Sequence, residues 1–211
     1  MKIQRRSCLQ RYFSAIMHRR AIHGRVTIII AHGSRLNSGP VIELRFIMRI
    51  LGIDTSLRST GYGVVDTAGS KFSAVDYGNI PNAASVPHSE CLRKIHAKIT
   101  SLIDEYKPDF VSVEKVIYGK NANTMMILGE ARGAVIVAAA AYGVPIYEYE
   151  PRRAKMSVCG NGLASKEQIQ RMVKTLFNLP ELPQNDAADA LALAFCHANT
   201  KTFLSGEENR I

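Results

Sequence analysis

The segment MRILGID is mostly apolar, as in a buried strand, and the two-residue period of a strand places Ile50, Gly52 and Asp54 on one face. Two further stretches, TSLRSTGYGVVD and KFSAVDYGNI, continue the alternation on either side of a turn predicted at Gly69. Gly61 and Gly63 mark positions where another backbone approaches the second strand closely. The three stretches predict an antiparallel meander, with Asp54 at the carboxyl end of its first strand.

Apolar residues at helical spacing follow these three predicted strands. Apolar residues between Leu92 and Tyr106 recur every three or four positions, which predicts an amphipathic helix that ends before Pro108. The segment DFVSVEKV then predicts a buried strand with Glu114 at its end. A long helix is predicted from about Asn121 to Tyr142. Its small residues indicate close packing on a neighbour, and a second copy of the chain is one candidate.

The last part of the chain predicts one more strand and two more helices. The strand is VPIYEYE, and CGNG forms a loop that leads into a helix at Ser165, where Gln168 completes a capping box. The final helix is predicted to start near Asn185 and to include AADALALAFCHA. Three antiparallel strands followed by alternating helices and strands are typical of a mixed α/β sheet.

Length and composition limit the class of protein. A chain of 211 residues with 46% hydrophobic content can bury one substantial core, so we expect one domain and an appendage. The four cysteines lack zinc-ligand spacing, which indicates ordinary thiols in a reducing compartment, the cytoplasm. The longest nearly pure apolar run, Ala134 to Ala141, is shorter than the roughly 20 residues that a membrane span needs. We therefore expect a soluble protein with no membrane association.

The positive charge is concentrated at the N-terminus. Residues 1–46 carry nine Lys or Arg and one acid, Glu43, whereas the whole chain has a formal net charge of +9. Three explanations for residues 1–47 stay open, in decreasing order of preference: a start assigned upstream of Met48, a transit or signal segment, and a basic DNA-binding arm. We expect this extension to be disordered, the domain to span residues 48–200, and residues 201–211 to form a tail.

The final predicted helix carries two acids in apolar surroundings. Asp186 and Asp189 are three residues apart and therefore lie on one helix face. A purely structural explanation is that Asp186 caps the helix and that both acids interact with the positive end of its dipole. That explanation fits Asp189 less well, because this residue lies a full turn inside the helix among alanines and leucines.

Two more acids, Asp54 and Glu114, end predicted strands. Four carboxylates brought together repel one another and raise each other's pKa values, and a bound divalent cation relieves that repulsion. Ligand sets made of oxygen suit Mg²⁺ or Mn²⁺, which can activate water and stabilise both oxygens of an in-line phosphoryl displacement. The ordered set of acids therefore predicts metal-dependent phosphodiester hydrolysis.

Four segments of the chain resemble the signature regions of RuvC, the bacterial Holliday-junction resolvase family. They are LGIDTSLRSTGYGVV, VSVEKVIYGKN, EARGAVIVAAA and PQNDAADALALA, within about residues 49–200. The resemblance implies a ribonuclease H-like fold: a mixed five-stranded sheet, with three antiparallel strands and then two parallel ones, flanked by helices. It also implies that Asp54, Glu114, Asp186 and Asp189 are the catalytic, metal-binding residues.

The same resemblance implies an activity and its requirements. Members of the family are expected to act as homodimers that hold a four-way DNA junction and nick two strands of like polarity, leaving 5′-phosphate and 3′-hydroxyl ends. Two Mg²⁺ ions per subunit are implied, with Asp54 bridging them and Mn²⁺ as a substitute. The branch-migration proteins RuvA and RuvB are the implied partners.

Basic residues concentrate between the last predicted strand and the end of the following helix. Arg152, Arg153, Lys155 and Lys166 are candidates for contacts with DNA phosphates, and the alternative is a solvated helix face. Lys155 and Lys166 also match DNA-contacting lysines of the family that the chain resembles, which favours the functional interpretation for those two.

The chain departs from the RuvC pattern beside the predicted site. Thr55 and Ser56 stand where the family commonly has Pro-Gly, so the turn after Asp54 has to form without those residues. Ile117 stands where the family tends to carry an aromatic residue that wedges into the opened junction. Either Ile117 is an apolar wedge or the adjacent Tyr118 stacks on a base, and the sequence preference at the cut can differ accordingly.

Other functions fit parts of the pattern. A sugar or actin-like kinase also begins with a strand-end Asp and a glycine-rich hairpin, but it needs roughly twice this length. A non-catalytic junction-binding module would be favoured by the loss of one acid, and all four are present. The carboxylates alone do not exclude a related nuclease that acts on RNA or on another branched substrate.

Overall fold

The computed structural model describes residues 25–31, 41–116, 121–200 and 209–211. These residues form six strands and five helices. The strands are β1 (Arg25–Ala31), β2 (Val41–Asp54), β3 (Ser59–Ala68), β4 (Lys71–Pro81), β5 (Phe110–Glu114) and β6 (Ile146–Tyr149). The helices are α1 (His88–Tyr106), α2 (Ala122–Ala141), α3 (Pro151–Cys159), α4 (Lys166–Leu176) and α5 (Asn185–Asn199).

A mixed sheet in the order β4-β3-β2-β5-β6 forms the centre of the domain. Strands β2, β3 and β4 are antiparallel neighbours, whereas β5 runs parallel to β2 and β6 runs parallel to β5. This arrangement confirms the predicted five-stranded sheet. The additional strand β1 pairs antiparallel with the first half of β2, from Arg25 opposite Ile47 to Ala31 opposite Val41. The sequence patterns predicted neither this hairpin nor a start of β2 before Met48.

The alternation along β2 divides the core between the two faces of the sheet. Leu51 and Ile53 pack in a cluster with residues of α1 and α2, whereas Ile50 packs in a second cluster with residues of α4 and α5. All three side chains are fully buried. Burying an aliphatic side chain of this size contributes about 1.5–3 kcal/mol, so β2 is anchored from both sides.

Helix α5 lies directly on β2 and β3 because glycines leave room for its backbone. A Cβ atom at Gly52 would lie 2.0 Å from the carbonyl oxygen of Ala190, and one at Gly61 would lie 2.0 Å from that of Asp186. Real Cβ atoms do not approach other atoms so closely. A Cβ atom at Gly63 would lie 2.7 Å from Cδ2 of Leu191 and 3.0 Å from the backbone nitrogen of Leu191. The predicted close approach at positions 61 and 63 is confirmed, and the approaching backbone is that of the helix with the two aspartates.

The helix boundaries follow the local sequence signals. Helix α1 ends at Tyr106, and Asn121 caps α2 by accepting a hydrogen bond from the backbone N–H of Thr124. The predicted capping box of α4, between Ser165 and Gln168, is present.

Helix α3, by contrast, was not predicted, and residues 151–158, between the strand VPIYEYE and the loop CGNG, were given no element. Pro151 begins this helix at a position where its missing N–H is not needed. The helix has only nine residues, so it shows little periodicity in the sequence.

Helix α2 is apolar on more than one face. Val135 and Ala138 are buried in the cluster that α1 shares, whereas Met126 is 66% exposed and Val137 is 60% exposed. Within the described part of the chain, α2 alone is long and apolar enough to cross a membrane by length and composition, a property that core helices of soluble proteins share. The uninterrupted apolar run in the sequence covers only the last part of this helix, because Glu130 and Arg132 lie before it.

Residues 209–211 pair with the outer edge of β6. The backbone N–H of Glu148 donates to the carbonyl oxygen of Asn209 at 2.8 Å, and that of Ile211 donates to the carbonyl oxygen of Ile146 at 3.0 Å. Tyr147 and Arg210 form an antiparallel bridge between these two bonds. The described end of the chain therefore covers one edge of the sheet.

Candidate active site

The fold brings the four predicted acids to one place. Asp54 is the last residue of β2 and Glu114 is the last residue of β5, and these strands are parallel neighbours. Asp186 and Asp189 lie in the first turns of α5, where Gly61 lets the helix rest on the sheet. The carboxyl groups of Asp54 and Glu114 are close enough to share a hydrogen bond.

Burial and mutual repulsion raise the pKa values of three of the four acids. Burial, followed by the charges of Glu114, Asp189 and Asp186, raises the pKa of Asp54 to about 8. Burial and the charge of Asp189 also raise the pKa of Glu114, and burial raises the pKa of Asp189. Such a cluster stores electrostatic repulsion that a cation relieves.

Two lysines oppose this repulsion. Lys166 lowers the pKa of Asp54, Glu114 and Asp189, and Lys155 lowers the pKa of the latter two. Lys155 lies on α3, and its Nζ atom donates to a loop carbonyl oxygen at 3.3 Å. Lys166 is the first residue of α4, the positive end of the helix dipole, where a cation is unfavourable. Helix stability therefore does not explain a lysine at this position.

Asp186 is held by side chains of the sheet. The hydroxyl group of Ser59 donates to its Oδ2 atom, and Nδ2 of Asn79 donates to the same atom at 2.9 Å. The N-cap position of α5 is occupied by Gln184, without a side-chain capping bond. The structural explanation that Asp186 caps its helix is therefore wrong, because its carboxylate faces the sheet. Ser59 and Asn79 were not among the residues that the sequence singled out.

The donor set fits a divalent cation of the magnesium type. All four side chains offer carboxylate oxygens, the ligands that hard cations prefer, and a nearby double positive charge would reverse the raised pKa values. Across residues 47–116 and 121–200, no three acids, cysteines or histidines are already arranged to coordinate one ion. Coordination of one ion by three of these side chains would therefore involve rotation of at least one of them, on backbone positions that strand ends and α5 define.

Comparison with known proteins assigns the family. The family model described as "Crossover junction endodeoxyribonuclease RuvC" matches residues 50–197. This chain belongs to the RuvC family. The crossover junction endodeoxyribonuclease RuvC of Brevibacillus brevis is 46% identical over 162 residues, which cover 76% of this chain and 98% of that protein. The protein of the same name from Geobacter sulfurreducens is 46% identical over 158 residues, 75% of this chain and 96% of that protein.

A solved structure of a RuvC protein has the same fold. The structure of T. thermophilus RuvC in complex with a Holliday junction substrate matches this chain with a TM-score of 0.67 and 33% sequence identity. The match covers 72% of this chain and 93% of that one. The predicted family and the predicted ribonuclease H-like fold are confirmed.

The turn after Asp54 contains Thr55 and Ser56 instead of the Pro-Gly pair that the resemblance to the family leads us to expect. The hydroxyl group of Thr60 donates to the carbonyl oxygen of Ser56, and the backbone N–H of Ser56 points back to that hydroxyl oxygen at 3.4 Å. Asn82 ties the same loop to the segment after β4 by donating to the carbonyl oxygen of Leu57 at 2.8 Å. These hydrogen bonds connect the loop after Asp54 to β3 and to the segment after β4.

The remaining DNA-binding candidates differ in their surroundings. Arg152 is exposed on α3. The guanidinium group of Arg153 lies 5.2 Å from the ring centroid of Tyr149 and donates to Thr200 and Asn209, both at 3.4 Å, so it also holds the end of the chain. Ile117 and Tyr118, the candidates for the junction wedge, lie outside the described residues.

Proposed function

We propose that this RuvC-family chain resolves Holliday junctions by symmetric paired nicks during DNA recombination and repair. Family membership supports the reaction class, a crossover junction endodeoxyribonuclease that leaves 5′-phosphate and 3′-hydroxyl ends. The observation that carries the proposal for this chain is the convergence of four acids from β2, β5 and α5 on one charged site. They are Asp54, Glu114, Asp186 and Asp189.

The four acids would hold Mg²⁺, two ions per subunit, and Mn²⁺ would substitute. Divalent cations of this type activate water and stabilise the attacking and leaving oxygens of a phosphoryl displacement. The protein supplies the backbone placement of the ligands and their charge. Because the pKa of Asp54 is raised to about 8, a cation held by this carboxylate would have to displace its proton, and metal affinity would rise with pH up to that value.

Basic side chains beside the acids supply the contacts with the DNA backbone in this proposal. Lys155 and Lys166 are close enough to the acids to lower their pKa values, so a phosphate in the site would lie within their field. Arg152 and Arg153 extend the positive charge along α3. Ile117 and Tyr118 are proposed to contact the opened junction, as a wedge or a stacking platform.

Two nicks in strands of like polarity require two active sites, so we propose a homodimer. The exposed face of α2 is our candidate interface, because Met126 and Val137 are exposed there. Apart from the adjacent turns of α2, a Cβ atom at Gly129 or Gly133 would meet no atom of the described residues within 4 Å, so a partner can approach the helix backbone closely. A symmetric pair of such faces would form an isologous contact.

Partners and location complete the proposal. RuvA and RuvB are the proposed partners, since the resemblance to the family implies a link to branch migration. The cytoplasm is the proposed location, and free cysteines at positions 91, 159 and 196 fit a reducing compartment.

Cleavage of a mobile four-way DNA junction tests the proposed reaction. Each strand is labelled in turn, the junction is incubated with Mg²⁺, Mn²⁺ or Ca²⁺, and products are resolved at single-nucleotide level. We expect paired nicks at equivalent positions of two like-polarity strands with Mg²⁺ and Mn²⁺. Asp54→Asn should bind the junction normally and cut it about 10³-fold more slowly, because several kcal/mol of transition-state stabilisation are lost.

Matched controls separate the site from its surroundings. Asp104→Asn makes the same chemical change on the exposed side of α1, and this variant should cut at the normal rate. Normal cutting by Asp54→Asn would refute the assigned site. Preferential cutting of an RNA junction would favour the alternative nucleic-acid substrate.

A further inference from the structure

The carboxylate of Asp186 lies in a frame made by two neighbouring strands. Gly61 of β3 is directly opposite Asn79 of β4 in the sheet register. Ser59 lies two residues before Gly61, so their side-chain directions share one face of the strand. That face is covered by the first turn of α5, because the carbonyl oxygen of Asp186 rests over Gly61. The side chain of Asp186 therefore meets residues from both strands.

Three hydrogen bonds connect this group in a consistent direction. Nδ2 of Asn79 donates to Oγ of Ser59 at 3.0 Å and to Oδ2 of Asp186 at 2.9 Å, and the Ser59 hydroxyl group donates to the same Oδ2 atom. Each of the two N–H bonds of the Asn79 amide group thus has an acceptor, and Oγ of Ser59 both accepts and donates. Two neutral donors converge on one oxygen of a carboxylate.

The orientation of the Asn79 amide group favours Asp186 and leaves the other end of the same amide group unpaired. Its Oδ1 atom is buried and has no hydrogen-bond partner among the described residues. A buried acceptor without a partner is costly, and a rotated amide would instead point Oδ1 at the carboxylate oxygen of Asp186. The amide orientation thus serves the carboxylate of Asp186 rather than the packing of Asn79 itself.

We infer that Ser59 and Asn79 are positioning residues that hold Asp186 ready to ligate a divalent cation. The two donors occupy Oδ2 and fix the rotamer of Asp186, so Oδ1 is left to serve as the ligand atom. Carboxylates that ligate metals are commonly held in this way by neighbouring hydrogen-bond donors. The inference rests on the proposed metal role of the four acids, and it assigns a function to two residues outside that set.

Metal binding without DNA tests the inference directly. Ser59→Ala, Asn79→Ala and the double variant are titrated with Mn²⁺, and free Mn²⁺ is measured by electron paramagnetic resonance. We expect each single variant to bind Mn²⁺ about 10-fold more weakly and the double variant up to about 100-fold more weakly, the range known for such supporting residues. The Mg²⁺ concentration for half-maximal junction cleavage should rise in the same order, with junction affinity in EDTA unchanged.

Two matched variants control for unrelated effects. Ser59→Thr keeps the hydroxyl donor on a strand, and it should retain most of the metal affinity that Ser59→Ala loses. Ser73→Ala makes the same deletion at an exposed position of β4, opposite Asp66 in the register, and it should behave as the wild type. Thermal unfolding of each variant is measured without metal to compare their stability.

Different outcomes test the positioning role of Ser59 and Asn79 and the metal role of Asp186. Wild-type Mn²⁺ affinity and Mg²⁺ requirement in Ser59→Ala and Asn79→Ala, with cleavage lost in Asp186→Asn, would overturn the positioning role alone. A lower melting temperature without a change in metal affinity would overturn it too, because the bonds would then only attach α5 to the sheet. Normal cutting by Asp186→Asn would instead overturn the proposed metal role of Asp186.

Discussion

The carbonyl oxygen of Asp186 occupies the space that a side chain at Gly61 would need, 2.0 Å from the position of its Cβ atom. Gly61→Ala should therefore push the first turn of α5 away from the sheet. We expect junction cleavage to fall by about 10²-fold, because displacements near 1 Å have effects of that size. Overpacking should also lower stability by about 1–3 kcal/mol, measurable by urea unfolding. Wild-type values for both quantities would contradict the close contact.

The raised pKa of Asp54 predicts a pH-dependent stability in the absence of metal. The folded state holds the proton up to about pH 8, whereas the unfolded state releases it near 3.8, the ordinary pKa of an aspartate side chain. The folded state therefore binds more protons between these values, and the free energy of unfolding falls as pH rises through that window. Asp54→Asn has no ionisable group at this position, so its free energy of unfolding does not fall in this window. The metal-free variant should therefore melt at a higher temperature than the wild type at about pH 9, with about 2–4 °C for each 1 kcal/mol.

The same measurement at about pH 5 serves as the control, because the folded wild type then keeps most of its Asp54 protons. The difference in melting temperature between Asp54→Asn and the wild type should be much smaller there. Added Mg²⁺ should raise the melting temperature of the wild type more at high pH than at low pH, since binding displaces a proton. An equal difference at both pH values would show that repulsion at Asp54 is not the cause.

The proposed dimer face of α2 can be tested with a single charge. Val137→Glu places a carboxylate on an exposed apolar position of this helix. We expect the variant to be monomeric in size-exclusion chromatography with light scattering and to lose the pairing of its nicks. Val75→Glu is the matched control, because Val75 is 42% exposed on β4. If Val137→Glu and the wild type have the same mass, the interface lies elsewhere.

Lys166 should contribute to DNA binding through its charge. Lys166→Ala should weaken junction binding and reduce the slope of log affinity against log salt concentration by about 1, as expected for one lost phosphate contact. Fluorescence anisotropy at several salt concentrations measures both quantities. Lys94→Ala, on the exposed side of α1, should leave the slope unchanged. An unchanged slope for Lys166→Ala would show that Lys166 makes no phosphate contact and interacts only with the acidic residues of the site.

A protein that begins at Met48 should retain full junction affinity and cleavage. Strand β1 pairs only with β2 among the described strands, so the five-stranded sheet does not depend on it. Side-by-side cleavage and binding assays of the full and shortened proteins provide the comparison. A large loss of affinity in the shortened protein would show that the basic residues before Met48 take part in DNA binding.

The sequence predicted features that depend on short segments. The strand ends at Asp54 and Glu114 follow from local alternation, and the glycines at positions 61 and 63 carry their own signal of close approach. The frame around Asp186 could not be predicted in this way, because Ser59 and Asn79 are 127 and 107 residues away from it in the chain. Their contact depends on the register of two strands and on the placement of a helix, and no local pattern encodes either.

The pairing of residues 209–211 with β6 has a consequence for the behaviour of the protein in concentrated solution. A strand edge with unpaired backbone groups is a template for strands of other molecules, and natural proteins commonly protect such edges. Backbone bonds from Asn209 to Ile211 occupy that edge here. A strand of another molecule would therefore have to displace residues 209–211 before it could extend the sheet at β6.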